Sequence, residues 1–134
     1  MKPNRIIETC LYVDDLGEAE AFYTKVMGLE VYAKVEGRHV FFRCGDGMFL
    51  VFDAERTTTT SEKGIPGHGA KGEGHTAFHM MPEEVPGWFA HLEEQGVEIE
   101  CDFDWPSGGK SYYFRDPSNN CIELTTPQTW LLDK

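Results

Sequence analysis

"YFRDPSNNCIELTTP", residues 113–127, joins a turn to a short strand. Asp116, Pro117, Ser118 and two asparagines carry turn chemistry. Cys121–Thr125 then reads as a β-rich run. Its middle residue is Glu123, set between Ile122 and Leu124. A carboxylate there is unexpected, because the run is otherwise patterned for a half-buried strand.

The stretch has a counterpart. "FFRCGDGMFLVFD", residues 41–53, aligns without gaps on residues 113–125. Upstream, "ETCLYVDDLGEAEAFYTKVMGLEV" (8–31) parallels "HTAFHMMPEEVPGWFAHLEEQGVEI" (75–99). Each is an alternating run, an acidic step, an amphipathic stretch and a closing glycine. The chain is therefore written twice.

Periodicity gives the elements. Ile6–Val13 alternates as a strand. Asp14 or Asp15 caps a helix running to about Met27, with Leu16, Ala19, Phe22, Tyr23 and Val26 at helical spacing and Gly28 as C-cap. Strands follow at about 29–35, 38–44 and 48–53. The second half repeats the order: strand 75–81, helix about 83–95, strands about 97–103, 110–115 and 120–126. Pro86 fits only in the first turn of its helix. Trp88, Phe89 and Leu92 read as core. "RTTTTSEKGIPGHGAKGEG" (56–74) is a Thr- and Gly-rich linker, expected to be mobile. The expected fold is α+β: two paired βαβββ modules forming a cleft-bearing, half-barrel mixed sheet. One domain spans 1–134, with module one at about 6–55, linker 56–74, module two at about 75–126 and a tail at 127–134.

Composition narrows the function. The 134 residues are one domain's worth, 40% hydrophobic and 26% charged. A net charge of −11 argues against a nucleic-acid backbone or an anionic membrane as partner. Apolar runs of about five residues are far short of a span. Residues 1–5 lack a signal-peptide core, so a cytoplasmic location and four reduced, core-filling cysteines are expected.

Alternation then places the candidate site. Glu8, Cys10 and Tyr12 share one face of their strand; His75, Ala77 and His79 share one of theirs; so do Cys121, Glu123 and Thr125. The gapless repeat equates Glu8 with His75 and Val51 with Glu123. Pseudo-symmetry brings these four positions to one cleft. Two carboxylates beside an imidazole are most simply reconciled by a divalent cation. Ser111, Tyr113 and Arg115 face the same cleft, where the last two can orient an oxygen-bearing substrate. Tyr12 and His79 line it, and His68 on the linker closes over it. Trp105 and Trp130 are read as pocket rim or dimer contact.

With "HGAKGEGHTAFHM" (68–80) and "GVEIECDFDWPSGGKSYYFRDPSNNCIEL" (96–124), the chain resembles the vicinal oxygen chelate superfamily. That group is also called the glyoxalase / bleomycin resistance / extradiol dioxygenase superfamily. The resemblance covers about residues 6–127. It implies paired βαβββ modules, a homodimer, a small-molecule substrate and a divalent metal (Mn, Fe, Ni, Zn or Mg). His75 and Glu123 match second-module ligand positions. Glu8 stands where many members carry a histidine. Val51 stands where glyoxalase I carries a fourth, carboxylate ligand, so that four-ligand set is absent. A Glu/His/Glu set neutralises a divalent ion and favours harder metals. Glu8 remains open between ligand, general base and remnant of a site that has lost its metal, and Tyr113 is a further catalytic candidate. Two functions follow: a metalloenzyme acting on an oxygen-chelating substrate, or a metal-free binding protein of the bleomycin-resistance kind.

Overall fold

The computed structural model describes residues 1–132. The chain divides into two units, Met1–Gly72 and Glu73–Lys134. Each is a βαβββ module around an open four-stranded mixed sheet, as the repeat requires.

In the first unit the order is β1 (Glu8–Val13), α1 (Leu16–Lys25), β2 (Glu30–Val35), β3 (His39–Cys44) and β4 (Gly47–Asp53). The sheet runs β1-β4-β3-β2, with β1 parallel to β4 and the other pairs antiparallel. The Asp15 side chain accepts from the Glu18 amide at 2.9 Å and starts α1. Gly28 adopts φ 69°, a left-handed turn that lets the Leu29 amide return to the Tyr23 carbonyl. Ala19 and Tyr23 of α1 are buried, and the Tyr23 ring lies 4.8 Å from Phe49 and 5.9 Å from Phe42. Leu11, Val13, Val40 and Val51 complete this core.

In the second unit β5 (His75–His79) leads through a 3-10 turn, Pro82–Glu84, into α2 (Val85–Glu94). Then come β6 (Cys101–Asp104), β7 (Lys110–Arg115), β8 (Cys121–Thr125) and a 3-10 turn, Pro127–Trp130. The sheet order is β5-β8-β7-β6. Pro86 sits in the first turn of α2, where its missing N–H costs nothing. Phe78, Met80, Leu92, Tyr112, Phe114, Ile122 and Leu124 form the core. Phe89 is not core: it is 45% exposed, because α2 turns Leu92 rather than Phe89 onto the sheet. None of the cysteines is a core filler either; Cys10, Cys44 and Cys121 are half-buried and Cys101 is exposed.

The two modules differ by one residue in a place that decides the site. Arg43 pairs with Met48, leaving residues 44–47 in the first turn. Arg115 pairs with Cys121, leaving residues 116–120 in the second, one more. Asp116 fills that longer turn, its Oδ1 accepting from the Ser118 and Asn120 amides at 2.9 Å each. A single-residue offset moves every following side chain to the other face. Phe41 and Cys10 pair with Leu50, as Tyr113 and Ala77 pair with Glu123. Leu50 is therefore the counterpart of Glu123. Val51 is corrected from a cleft position: it pairs with Leu11 and Val40 and is wholly buried on the face packed by α1.

The segment after β4 is a returning loop rather than a bare linker. The His68 amide donates to the Thr57 carbonyl at 2.7 Å, and Thr57 is buried. Gly67 lies so near the Thr58 carbonyl oxygen that a Cβ there would sit 2.3 Å away. The tail beyond Thr126 begins as the ordered Pro127–Trp130 turn, and residues 133–134 lie outside the described ones. No helix among the described residues is long and apolar enough to cross a membrane.

Candidate metal centre

Glu123 is held in the middle of β8 with β5 on one side and β7 on the other. Register places it beside Ala77 and Tyr113, so His75 and Ser111 share its face. Only 6% of Glu123 is exposed. Ser111 Oγ donates to Oε1 at 2.7 Å. Oε2 lies 3.3 Å from His75 Nε2. The Tyr113 ring stacks 6.3 Å from the His75 ring, with its phenol beside the same carboxylate. Burial first, and then that carboxylate, push the Tyr113 phenol up to about 12, so it keeps its proton at neutral pH.

The imidazole is oriented by its other nitrogen. His75 Nδ1 lies 2.9 Å from the Cys121 carbonyl oxygen, which can only accept, so Nδ1 carries the hydrogen. In the neutral ring Nε2 then points a lone pair at Oε2. Two acceptors facing each other repel unless a proton on Nε2 or a metal cation stands between them. Ligand bonds of about 2.1 Å at angles of roughly 90–110° separate two donor atoms by about 3.0–3.4 Å. The Nε2–Oε2 separation falls in that interval. A carbonyl holding the far nitrogen of a ligating histidine is also what metal sites require. The donor set fits a divalent ion.

His75, Glu123 and Tyr113 are thus brought together. His79 lies on the same face, opposite Thr125. Arg115 also faces this side, but its guanidinium is occupied. Its Nε donates to Glu100 at 2.7 Å and Nη2 to the other Glu100 oxygen at 3.1 Å, while Nη1 reaches Glu73 at 3.3 Å. That fork ties β7 to the segments that lead into β6 and β5 and leaves the expected substrate-orienting role without a free donor edge.

Glu8 opens β1 in the first unit and is exposed. On the same face the Tyr12 hydroxyl hydrogen-bonds His68 Nδ1 at 2.5 Å, and the His68 ring meets Phe52 edge-on at 4.8 Å. Burial, and secondly Cys10, push the Tyr12 phenol up, so it keeps its proton. His68 does fold from the loop onto the face that carries Tyr12. Among the described residues no three His, Cys, Asp or Glu side chains converge on one point; the second unit supplies two.

Sequence reasoning named Ser111 only as a neighbour of Tyr113. It passed over Thr125 as a contact of Ser111, and Trp105 as a donor to Ser111. Counting turn residues is the signal that identifies Leu50 in place of Val51.

The family profile of the Glyoxalase/Bleomycin resistance protein/Dioxygenase superfamily matches residues 5–124. The chain belongs to this superfamily. The superfamily relative metallothiol transferase FosB of Bacillus licheniformis is 30% identical over 115 residues, spanning 85% of this chain and 70% of the relative. The crystal structure of lactoylglutathione lyase from Agrobacterium tumefaciens is 40% identical, with a TM-score of 0.94 over 98% of this chain and 100% of that one. A fosfomycin resistance protein FosX from Listeria monocytogenes, crystallised with Mn(II) and 1S,2S-dihydroxypropylphosphonic acid, shares the fold at 22% identity, with a TM-score of 0.70 over 97% of this chain and 98% of that one.

Proposed function

We propose that this superfamily member is a metal-dependent enzyme acting on a small substrate that chelates a divalent cation through adjacent oxygens. His75 Nε2 and Glu123 Oε2 are two of the ligands, and Glu8 is the third, supplied by the same chain or by a second copy in a homodimer. The supporting observation is the facing Nε2–Oε2 pair at 3.3 Å, with Nδ1 tied to a carbonyl.

A bound ion would polarise the substrate oxygens and stabilise negative charge developing on them. The protein's own groups do the rest. Ser111 holds the Glu123 carboxylate through Oε1. The Tyr113 phenol holds its proton at Oη and presents it at the edge of the site, as a donor to substrate oxygen. Glu8 is the candidate proton acceptor if it is not a ligand. Tyr12, His68 and His79 are the candidate substrate-side residues. Leu50, the counterpart of Glu123 in the first module, offers no donor atom.

Mn(II), Fe(II), Ni(II), Zn(II) and Mg(II) are titrated into metal-stripped protein, with tryptophan fluorescence and calorimetry as readouts. Stoichiometric binding of one of them, lost in His75→Ala and Glu123→Ala and weakened in Glu8→Ala, is expected. A wild-type protein that binds none of them and still takes up small ligands is instead a sequestration protein.

A further inference from the structure

Ser111 is wholly buried and lies at the centre of three polar groups. Trp105 Nε1 lies 2.8 Å from its Oγ, Glu123 Oε1 2.7 Å, and Thr125 Oγ1 2.8 Å. Thr129 Oγ1 lies 2.9 Å from Thr125 Oγ1. Inventory and distance together set the protons in this chain. An indole N–H only donates, so Ser111 Oγ accepts from Trp105. A carboxylate only accepts, so the single Ser111 proton goes to Glu123. Thr125 Oγ1 has two acceptors, the Lys110 carbonyl at 3.4 Å and Ser111 Oγ at 2.8 Å; the shorter contact takes its proton, and Thr129 donates to Thr125. All the dipoles run toward one oxygen of Glu123.

We propose that Trp105, Thr125 and Thr129, acting through Ser111, are positioning residues for the Glu123 carboxylate. They hold Oε1 and leave Oε2 as the one oxygen turned to His75. This rests on the metal-site reading above. Aligned hydrogen bonds polarise one another, so the outer hydroxyls strengthen the inner one. The anchoring lies outside β8. Trp105 is held in the turn before β7 by its amide bond to the Gly109 carbonyl at 2.8 Å. Thr129 is held by the turn after β8, where its amide donates to Thr126 at 3.1 Å and its carbonyl accepts from Ser107 Oγ at 3.3 Å. Gly109 makes room for it: a Cβ there would lie 2.2 Å from Thr129 Oγ1. The turn Pro127–Trp130 thereby becomes part of the site.

Two measurements test this. The first is Mn(II) affinity of Ser111→Ala, Thr125→Val, Thr125→Ser and Thr129→Val. Loss of a group holding a ligand lowers metal affinity about 10–100-fold, and Ser111→Ala falls in that range. Thr125→Val and Thr129→Val lose progressively less, and Thr125→Ser, which keeps the hydroxyl, returns to wild type. The second uses metal-free protein and the indole N–H resonance of Trp105. Ser111→Ala and Glu123→Gln both shift it, the second without touching Trp105. Unchanged Mn(II) affinity in Ser111→Ala, or an indole resonance indifferent to Glu123→Gln, overturns the relay. A wild type that binds no metal yet shows both indole shifts keeps the relay and defeats the metal-site reading.

Discussion

Placing a glutamate at position 50 or at position 51 separates the register of β4 from the gapless sequence alignment. Val51 is wholly buried between Leu11 and Val40, against α1. Val51→Glu forfeits about 2 kcal/mol of apolar burial. The new acid then has no partner there. Kept neutral, it leaves buried polar atoms unsatisfied at a further cost of about 1–3 kcal/mol, and ionised it costs more. The sum is about 3–5 kcal/mol, against a total of about 5–15 for a domain. Leu50 is 9% exposed and lies on the opposite face, with Tyr12 and Phe52 on the neighbouring positions of that side. Leu50→Glu loses comparable apolar contact but turns its carboxylate to that outer face, so its cost stays near 2 kcal/mol. With a urea m-value of about 1–3 kcal/mol/M, the two midpoints differ by roughly 1 M. Urea unfolding followed by circular dichroism reads this directly. Equal midpoints, or Leu50→Glu as the weaker protein, refute the register assignment.

His39 is buried, stacked on Phe41 at 3.9 Å, and its Nδ1 accepts from Arg38 Nη1 at 2.5 Å; burial first, then Arg38, lower its pKa from 6.5. The unfolded chain then binds the extra proton, so stability present above about 6.5 is lost as pH falls through the lower folded value, and His39→Gln flattens that part of a denaturation-versus-pH curve. Asp116→Ala removes the acceptor of two turn amides and of Asn120 Nδ2 at 3.0 Å, which costs the second unit about 2–4 kcal/mol in thermal or urea unfolding. Tyr12→Phe releases His68 at a cost of about 1 kcal/mol, visible as faster amide exchange at His68 with the β4 amides unaffected.

Both βαβββ modules were legible because hydrophobic period and turn glycines agree in each half. Gly28 and Gly96, both left-handed here, mark the helix ends in the sequence and in the fold. That Glu123 and His75 lie on one face was legible from alternation within their strands, and the observed pairing of His75 with Cys121 and Ala77 with Glu123 agrees with it. Val51 was misplaced because a gapless alignment hides a turn that is one residue longer; face assignment depends on parity, which one residue reverses. Phe89 was misplaced because helical spacing defines a stripe without saying which side of it meets the sheet. The occupation of Arg115 by Glu100 and Glu73, and the chain from Trp105 through Ser111, depend on contacts between turns and strands far apart in sequence. No period or spacing encodes those.

The most direct test of the metal centre is pulsed electron paramagnetic resonance on the Mn(II)-loaded protein. The proposed site has one imidazole ligand, His75 through Nε2, with oxygen donors completing it. A nitrogen coupling from a single histidine is predicted, present in wild type and abolished in His75→Ala with the fold intact. Bound Mn(II) with no nitrogen coupling, or a coupling that survives His75→Ala, would contradict the site.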